Sequence, residues 1–252
     1  MRLKTLENQM RVYMNPYDYE TMLESAASRR GRLAMRIMGE CSCRVGELSQ
    51  SLYAEGLRQS THPDVDLWFL PVRGKDTKAR ETGGKRRDVW IPQSVREAIG
   101  EYRRIENLDP DVPLFPCTTR ALQYDVKKAA ENAAERTGND DFEHISAHDF
   151  RAYFATNMAL REGVDIEIVM ELGGWESRQT MDPYLNAAFD DIIQHELALA
   201  GVLEQDVDVE VSEYERLRQE IAALREAIEG LDVDVSVDRP DEQRGLGDFA
   251  DS

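Results

Sequence analysis

Apolar residues recur at helical spacing through nearly all of residues 16–200, and a single pair of β-rich runs interrupts them. The spacing predicts helices over 16–37 and 44–54. Residues 65–73 (VDLWFLPVR) and 87–92 (RDVWIP) then read as two strands. Between them lies KDTKARETGGKR, polar and broken by a Gly-Gly pair, as a long hairpin loop would be. Further helices follow over 94–106, over 119–137 with Gly138 as the stop, over 149–162 with Gly163 as the stop, over 165–172, from about Ser177, and over 186–200. The expected fold is mostly α with a small antiparallel β-sheet or hairpin, an α+β arrangement.

Residues 1–200 read as one domain and residues 201–252 as an acidic tail. Within the tail, Tyr214, Leu217, Ile221, Leu224, Ile228 and Leu231 step by three and four, a short coiled-coil-like seam over 213–231. It fits self-association or packing on its own domain equally well. The flanking segments are acidic and read as disordered. The chain has no apolar run long enough to cross a membrane and no apolar leader in MRLKTLENQM, so a cytoplasmic protein is expected. Cys41, Cys43 and Cys117 suit neither a zinc site nor a disulfide framework and read as free thiols; no metal or other cofactor is expected.

A net charge of −18 argues at first sight against a nucleic-acid partner, because neutralising phosphates requires Lys and Arg. The charge is uneven. The tail holds 16 acidic and 5 basic residues, whereas residues 71–90 hold seven basic and three acidic. An acidic body of this kind looks like the adaptation of a protein from a halophilic archaeon or its virus, where screening leaves binding to short-range contacts.

Taken singly, the polar motifs are ordinary. Arg44 in RVGEL reads as a solvated or salt-bridged arginine, His148 and Arg151 in HDFR as a polar pair on one helical face, and Tyr184 as a packing tyrosine. Their order is more informative. Arg44 precedes the strand–loop–strand that carries Gly74-Lys75 and ends in Ile91-Pro92. His148-x-x-Arg151 follows, then Gly173-Gly174-Trp175, and Tyr184 nine residues on. Over residues 10–195 this string resembles the tyrosine recombinase (phage integrase) family.

The resemblance implies that family's catalytic fold and an enzyme that cuts and rejoins double-stranded DNA. It does so through a covalent 3′-phosphotyrosine, as a homo-oligomer, a tetramer on paired DNA sites. It implies catalytic roles for Arg44, Lys75, His148, Arg151, Trp175 and Tyr184. The chemistry suits those residue types. Two guanidiniums, charged at neutral pH, give bidentate donors for the non-bridging oxygens of a phosphodiester. A phenol, whose pKa is ordinarily about 10, forms an ester that an incoming hydroxyl can reverse, and an imidazole can take its proton. A lysine in the hairpin can protonate the leaving 5′ oxygen; Lys75 is favoured, with Lys85 next and Lys78 also available. Trp175 stands where histidine is commoner in the family. Its indole can donate one hydrogen bond but cannot titrate; packing in the core is the competing reading. Arg44 comes too early for the family's N-terminal DNA-clamping domain to precede it, so a short form or a piece of a longer chain is expected. Two other functions keep the same fold: a DNA-binding regulator without productive recombination, and a nicking enzyme like the type IB topoisomerases.

Overall fold

Helix caps set most of the element boundaries. The computed structural model describes residues 2–6, 9–51, 57–62, 64–73, 86–109, 112–185, 190–199 and 202, all within one compact unit, Met1–Val202. The candidate lysines Lys75, Lys78 and Lys85, and the heptad seam at 213–231, lie outside the described residues.

Strands β1 (Arg2–Leu6) and β2 (Gln9–Tyr13) pair antiparallel, Arg2 opposite Tyr13 and Leu6 opposite Gln9. The sequence reading did not anticipate this hairpin, whose period-two signal in Met10 and Val12 is too short to stand out. Helix α1 (Pro16–Glu24) starts at Asn15, which accepts the Asp18 N–H at 2.8 Å while Asp18 accepts the Asn15 N–H at 3.0 Å. Helix α2 (Arg29–Cys41) follows a break, so the single helix expected over 16–37 is two. The break lies at Ser25-Ala-Ala-Ser28, where Ser28 Oγ turns back to accept the Gly31 N–H at 3.0 Å and caps a new helix. Ser42 ends α2 in the left-handed region, at φ 58°.

After α3 (Val45–Ser51), strands β3 (Arg58–Gln59), β4 (Trp68–Arg73) and β5 (Arg86–Trp90) form an antiparallel sheet in that order. Phe69 faces Trp90, and Arg73 faces Arg86. The expected strand pair is therefore present with a two-residue edge strand added. Helices α4 (Gln93–Ile105) and α5 (Thr119–Thr137) match the expected spans, and Gly138 closes α5 at φ 68°. Helix α6 (Ala147–Thr156) runs into a π-helical turn at Asn157–Arg161, and α7 (Ile166–Gly173), α8 (Arg178–Leu185) and α9 (Asp190–Leu199) complete the described chain.

Helix α2 packs on α4, α5 and α6, and its Leu33, Met35, Ile37 and Met38 are buried in the main core with Val89, Leu122 and Phe150. A second cluster joins α6, α7 and α8 through Phe154, Ala155, Val169, Met170 and Met181. Helix α6 belongs to both, and every residue from Asp149 to Thr156 is buried. Polar side chains on α6 from Asp149 onward are thus held in a fixed, dry setting, whereas His148 in its first turn is exposed. Among the described residues no helix is long and apolar enough to cross a membrane.

Candidate active site

The junction of the two cores collects five of the six predicted residues. Arg44 follows the left-handed Ser42 by two residues, at the entrance to α3. Its backbone N–H donates to Glu47 Oε2 at 2.7 Å and its Nη1 to Glu47 Oε1 at 2.9 Å. The Arg44 side chain stays 44% exposed, whereas Glu47 is 3% exposed. Glu47 also takes two bonds from Arg87 on β5: Nη2 to Oε2 at 2.9 Å and Nε to Oε1 at 3.3 Å. Burial by itself would raise the Glu47 pKa; the hydrogen bonds and charge of Arg87, with help from Arg44, outweigh it and hold the carboxyl below its ordinary value.

Arg151, on α6, is 3% exposed. Its Nη1 donates to the Ser42 carbonyl at 2.6 Å and to Ser42 Oγ at 3.1 Å. Its Nη2 is buried and has no hydrogen-bond partner among the described residues. Burial, then the neighbouring charges of Arg44 and Arg87, push the Arg151 pKa down to about 9. A buried cation with an unused donor fits an anionic oxygen, which would relieve both penalties.

The face of Trp175 lies 3.9 Å from the Arg151 guanidinium carbon. Trp175 also stacks on Phe154, with centroids 6.4 Å apart, and tilts against Tyr184 at 5.7 Å. The indole is thus a platform under Arg151, joined to the second core. The two glycines before it are demanded by geometry. A Cβ on Gly173 would overlap the Trp175 ring, and Gly174 sits at φ 66° with the Arg87 side chain 2.9 Å from where its Cβ would be.

Tyr184 lies on α8 and is 5% exposed. Its Oη is 2.8 Å from His148 Nε2, and His148 is exposed in the first turn of α6. Two bonds bracket its backbone: Tyr13 Oη donates to the Pro183 carbonyl at 2.6 Å, and Thr156 Oγ1 to the Tyr184 carbonyl at 3.0 Å. A cleft of about 520 Å³ opens beside these groups, lined by Arg44, His148 and Arg151 together with Gln123, Lys127 and Glu143.

Sequence reasoning missed Glu47 and Arg87. Glu47 stands in the RVGEL string itself, three residues from Arg44 and of opposite sign. Arg87 was legible from period two: it shares a strand face with the buried Val89, so it points inward while its neighbour Asp88 is exposed. Lys75 lies outside the described residues, so the site is described without it.

Fold and site together define a mostly helical domain with an arginine-lined cleft and a tyrosine–histidine pair at its edge. The phage integrase family profile matches residues 8–191, and the chain belongs to that family. It is similar to the tyrosine recombinase XerC of Thermodesulfovibrio yellowstonii, 29% identical over 153 residues that cover 56% of this chain and 50% of the relative. The chain spans about half the length of the curated relatives it matches. Its fold is like that of XerA recombinase, with a TM-score of 0.59, 21% identity, and 77% of this chain and 66% of the other covered. It is also like that of the XerH site-specific recombinase bound to a palindromic difH substrate in a post-cleavage complex, with a TM-score of 0.54, 22% identity, and coverage of 77% and 54%.

Proposed function

We propose that this chain is the catalytic part of a site-specific tyrosine recombinase. It cuts and rejoins double-stranded DNA through a 3′-phosphotyrosine. Tyr184 Oη attacks the phosphorus, and the bond from phosphorus to the 5′ oxygen breaks. The phenol proton passes to His148 Nε2, and the leaving 5′ oxygen takes a proton from Lys75. Arg44 and Arg151 hold the two non-bridging oxygens, whose charge grows in the transition state. Trp175 backs Arg151 and excludes water from that side. Attack by a new 5′ hydroxyl runs the same steps in reverse, so ligation needs no external energy source.

The observation that carries this reading is the Tyr184–His148 contact at 2.8 Å beside the buried, unused Nη2 of Arg151. A protein that only binds DNA has no need of that pair. XerH, a structure of like fold, is bound to its DNA substrate, which supports duplex DNA as the partner. The reading extends to a homo-oligomer, a tetramer on paired sites, working in a salty cytoplasm. In it residues 1–200 form the catalytic domain and residues 201–252 an acidic tail, whose 213–231 seam serves either self-association or packing on its own domain.

The test is a suicide DNA substrate that traps the covalent intermediate. The native protein should yield an adduct on a denaturing gel, and Tyr184→Phe should yield none while its DNA affinity stays near that of the native protein. An adduct from Tyr184→Phe at the native level would overturn the assignment of the nucleophile. Adduct formation without strand exchange between two duplexes would point to a nicking enzyme instead.

A further inference from the structure

Resting on that reading of the site, we propose that Arg87 is a positioning residue for the guanidinium clamp, acting through its neighbours and not on DNA. Three arginines converge here, and their nitrogens are used differently. Arg44 is 44% exposed, and Arg151 keeps Nη2 unpartnered. Arg87 has an acceptor for each nitrogen: Nε and Nη2 on Glu47, Nη1 on the Leu172 carbonyl at 3.2 Å, and Nη2 also on the Ser42 carbonyl at 3.1 Å. Four of its five N–H donors are thus used within the protein, and only 15% of its side chain is exposed, so it is poorly placed to hold a phosphate.

The acceptors explain what Arg87 does. Glu47 is the carboxylate that also holds Arg44 Nη1, so Arg87 neutralises it and fixes the plane on which Arg44 rests. The Ser42 carbonyl is shared with Arg151 Nη1, so one backbone oxygen registers two guanidiniums against each other. That carbonyl belongs to a non-glycine residue at φ 58°, a conformation that costs energy and persists where surroundings enforce it. The Leu172 carbonyl ends α7 just before Gly173-Gly174-Trp175, and the Arg87 side chain fills the space a Cβ on Gly174 would need. Arg87 therefore locks the Trp175 platform to the clamp from strand β5, whose partner β4 precedes Lys75 in the chain. Only a planar fork with donors in several directions meets four acceptors at once; a lysine would meet one or two.

The experiment compares the native protein with Arg87→Lys, which keeps the charge and guards against misfolding, and with Arg87→Ala. Single-turnover adduct formation on the suicide substrate should fall by 10- to 100-fold in Arg87→Lys, with the DNA dissociation constant changed less than threefold. Glu47→Gln should add little further loss in the Arg87→Lys background, because both act on one network. Free guanidinium at low concentration should restore part of the Arg87→Ala rate. A second reading does not depend on cleavage. With Trp68 and Trp90 replaced by Phe, Trp175 emission should shift to the red and iodide quenching should rise when Arg87 becomes Lys. If no adduct forms with the native protein, the recombinase reading fails while the Trp175 emission still judges Arg87. Native emission in Arg87→Lys, or a loss of DNA affinity equal to the loss of rate, would overturn the proposal, the latter by making Arg87 a phosphate contact.

Discussion

At the scale of single residues, the site is a buried electrostatic balance. Glu47 is the only carboxylate bonded to Arg44 and Arg87 among the described residues, and Arg151 is left without one. Arg151 depends on carbonyl dipoles and on the Trp175 face, which makes it the guanidinium most in want of an anion. Arg151→Lys keeps a charge but cannot reach Ser42 and a phosphate oxygen together. Its rate of adduct formation should fall about 10²-fold, close to 2.7 kcal/mol, as for the loss of one oxyanion donor; a single-turnover assay checks this. The pH dependence follows from the same burial. Folding lowers the Arg151 pKa to about 9, so the cost of its buried charge is complete below that pH and fades as pH rises through and beyond it. A bound phosphate raises that pKa again. The kcat/KM of cleavage should therefore decline as pH rises through about 9, while kcat holds to higher pH. Alkaline limbs that coincide for kcat and kcat/KM would contradict it.

At the scale of elements, the nucleophile is delivered by the short helix α8, whose Pro183 lies inside it and cannot donate a backbone bond. The tethers from Tyr13 on β2 and Thr156 on α6 hold its register. The N-terminal hairpin thereby reaches the chemistry, and Val12 N–H also bonds Asp149 in the first turn of α6 at 3.3 Å. Tyr13→Phe removes a hydroxyl whose partner is partly buried. We expect a loss of about 1 kcal/mol of stability and a fall of roughly three- to tenfold in adduct formation, since Tyr184 is less well aimed. Chemical denaturation and the suicide assay measure the two effects. A stability loss with an unchanged rate would mean that α8 keeps its register without the hairpin.

At the scale of the molecule, 49 acidic residues set against 31 basic ones repel one another. Screening shortens that repulsion from about 10 Å at 0.1 M salt to about 3 Å at 1 M. The melting temperature should rise with KCl between about 0.1 and 1 M, measured by calorimetry, whereas DNA affinity should fall by counterion release. A flat or falling melting curve would remove the case for salt adaptation. The chain by itself determined the helical character, the strand pair read at 65–73 and 87–92, and the order Arg44, His148, Arg151, Trp175, Tyr184, because periodicity, caps and motif spacing are local properties; the N-terminal hairpin and the edge strand β3 were too short to read. The split of the first helix was also written locally, in Ser28, but looked weaker than the apolar run around it. Only the tertiary structure decided the rest. Glu47 and Arg87 lie 40 residues apart and become one ion pair because α3 packs on β4, the strand paired with β5. The left-handed Ser42 becomes an acceptor shared by two arginines, and Tyr13 reaches Pro183 across 170 residues. Such contacts arise from packing two cores around α6, and no window of sequence contains both partners.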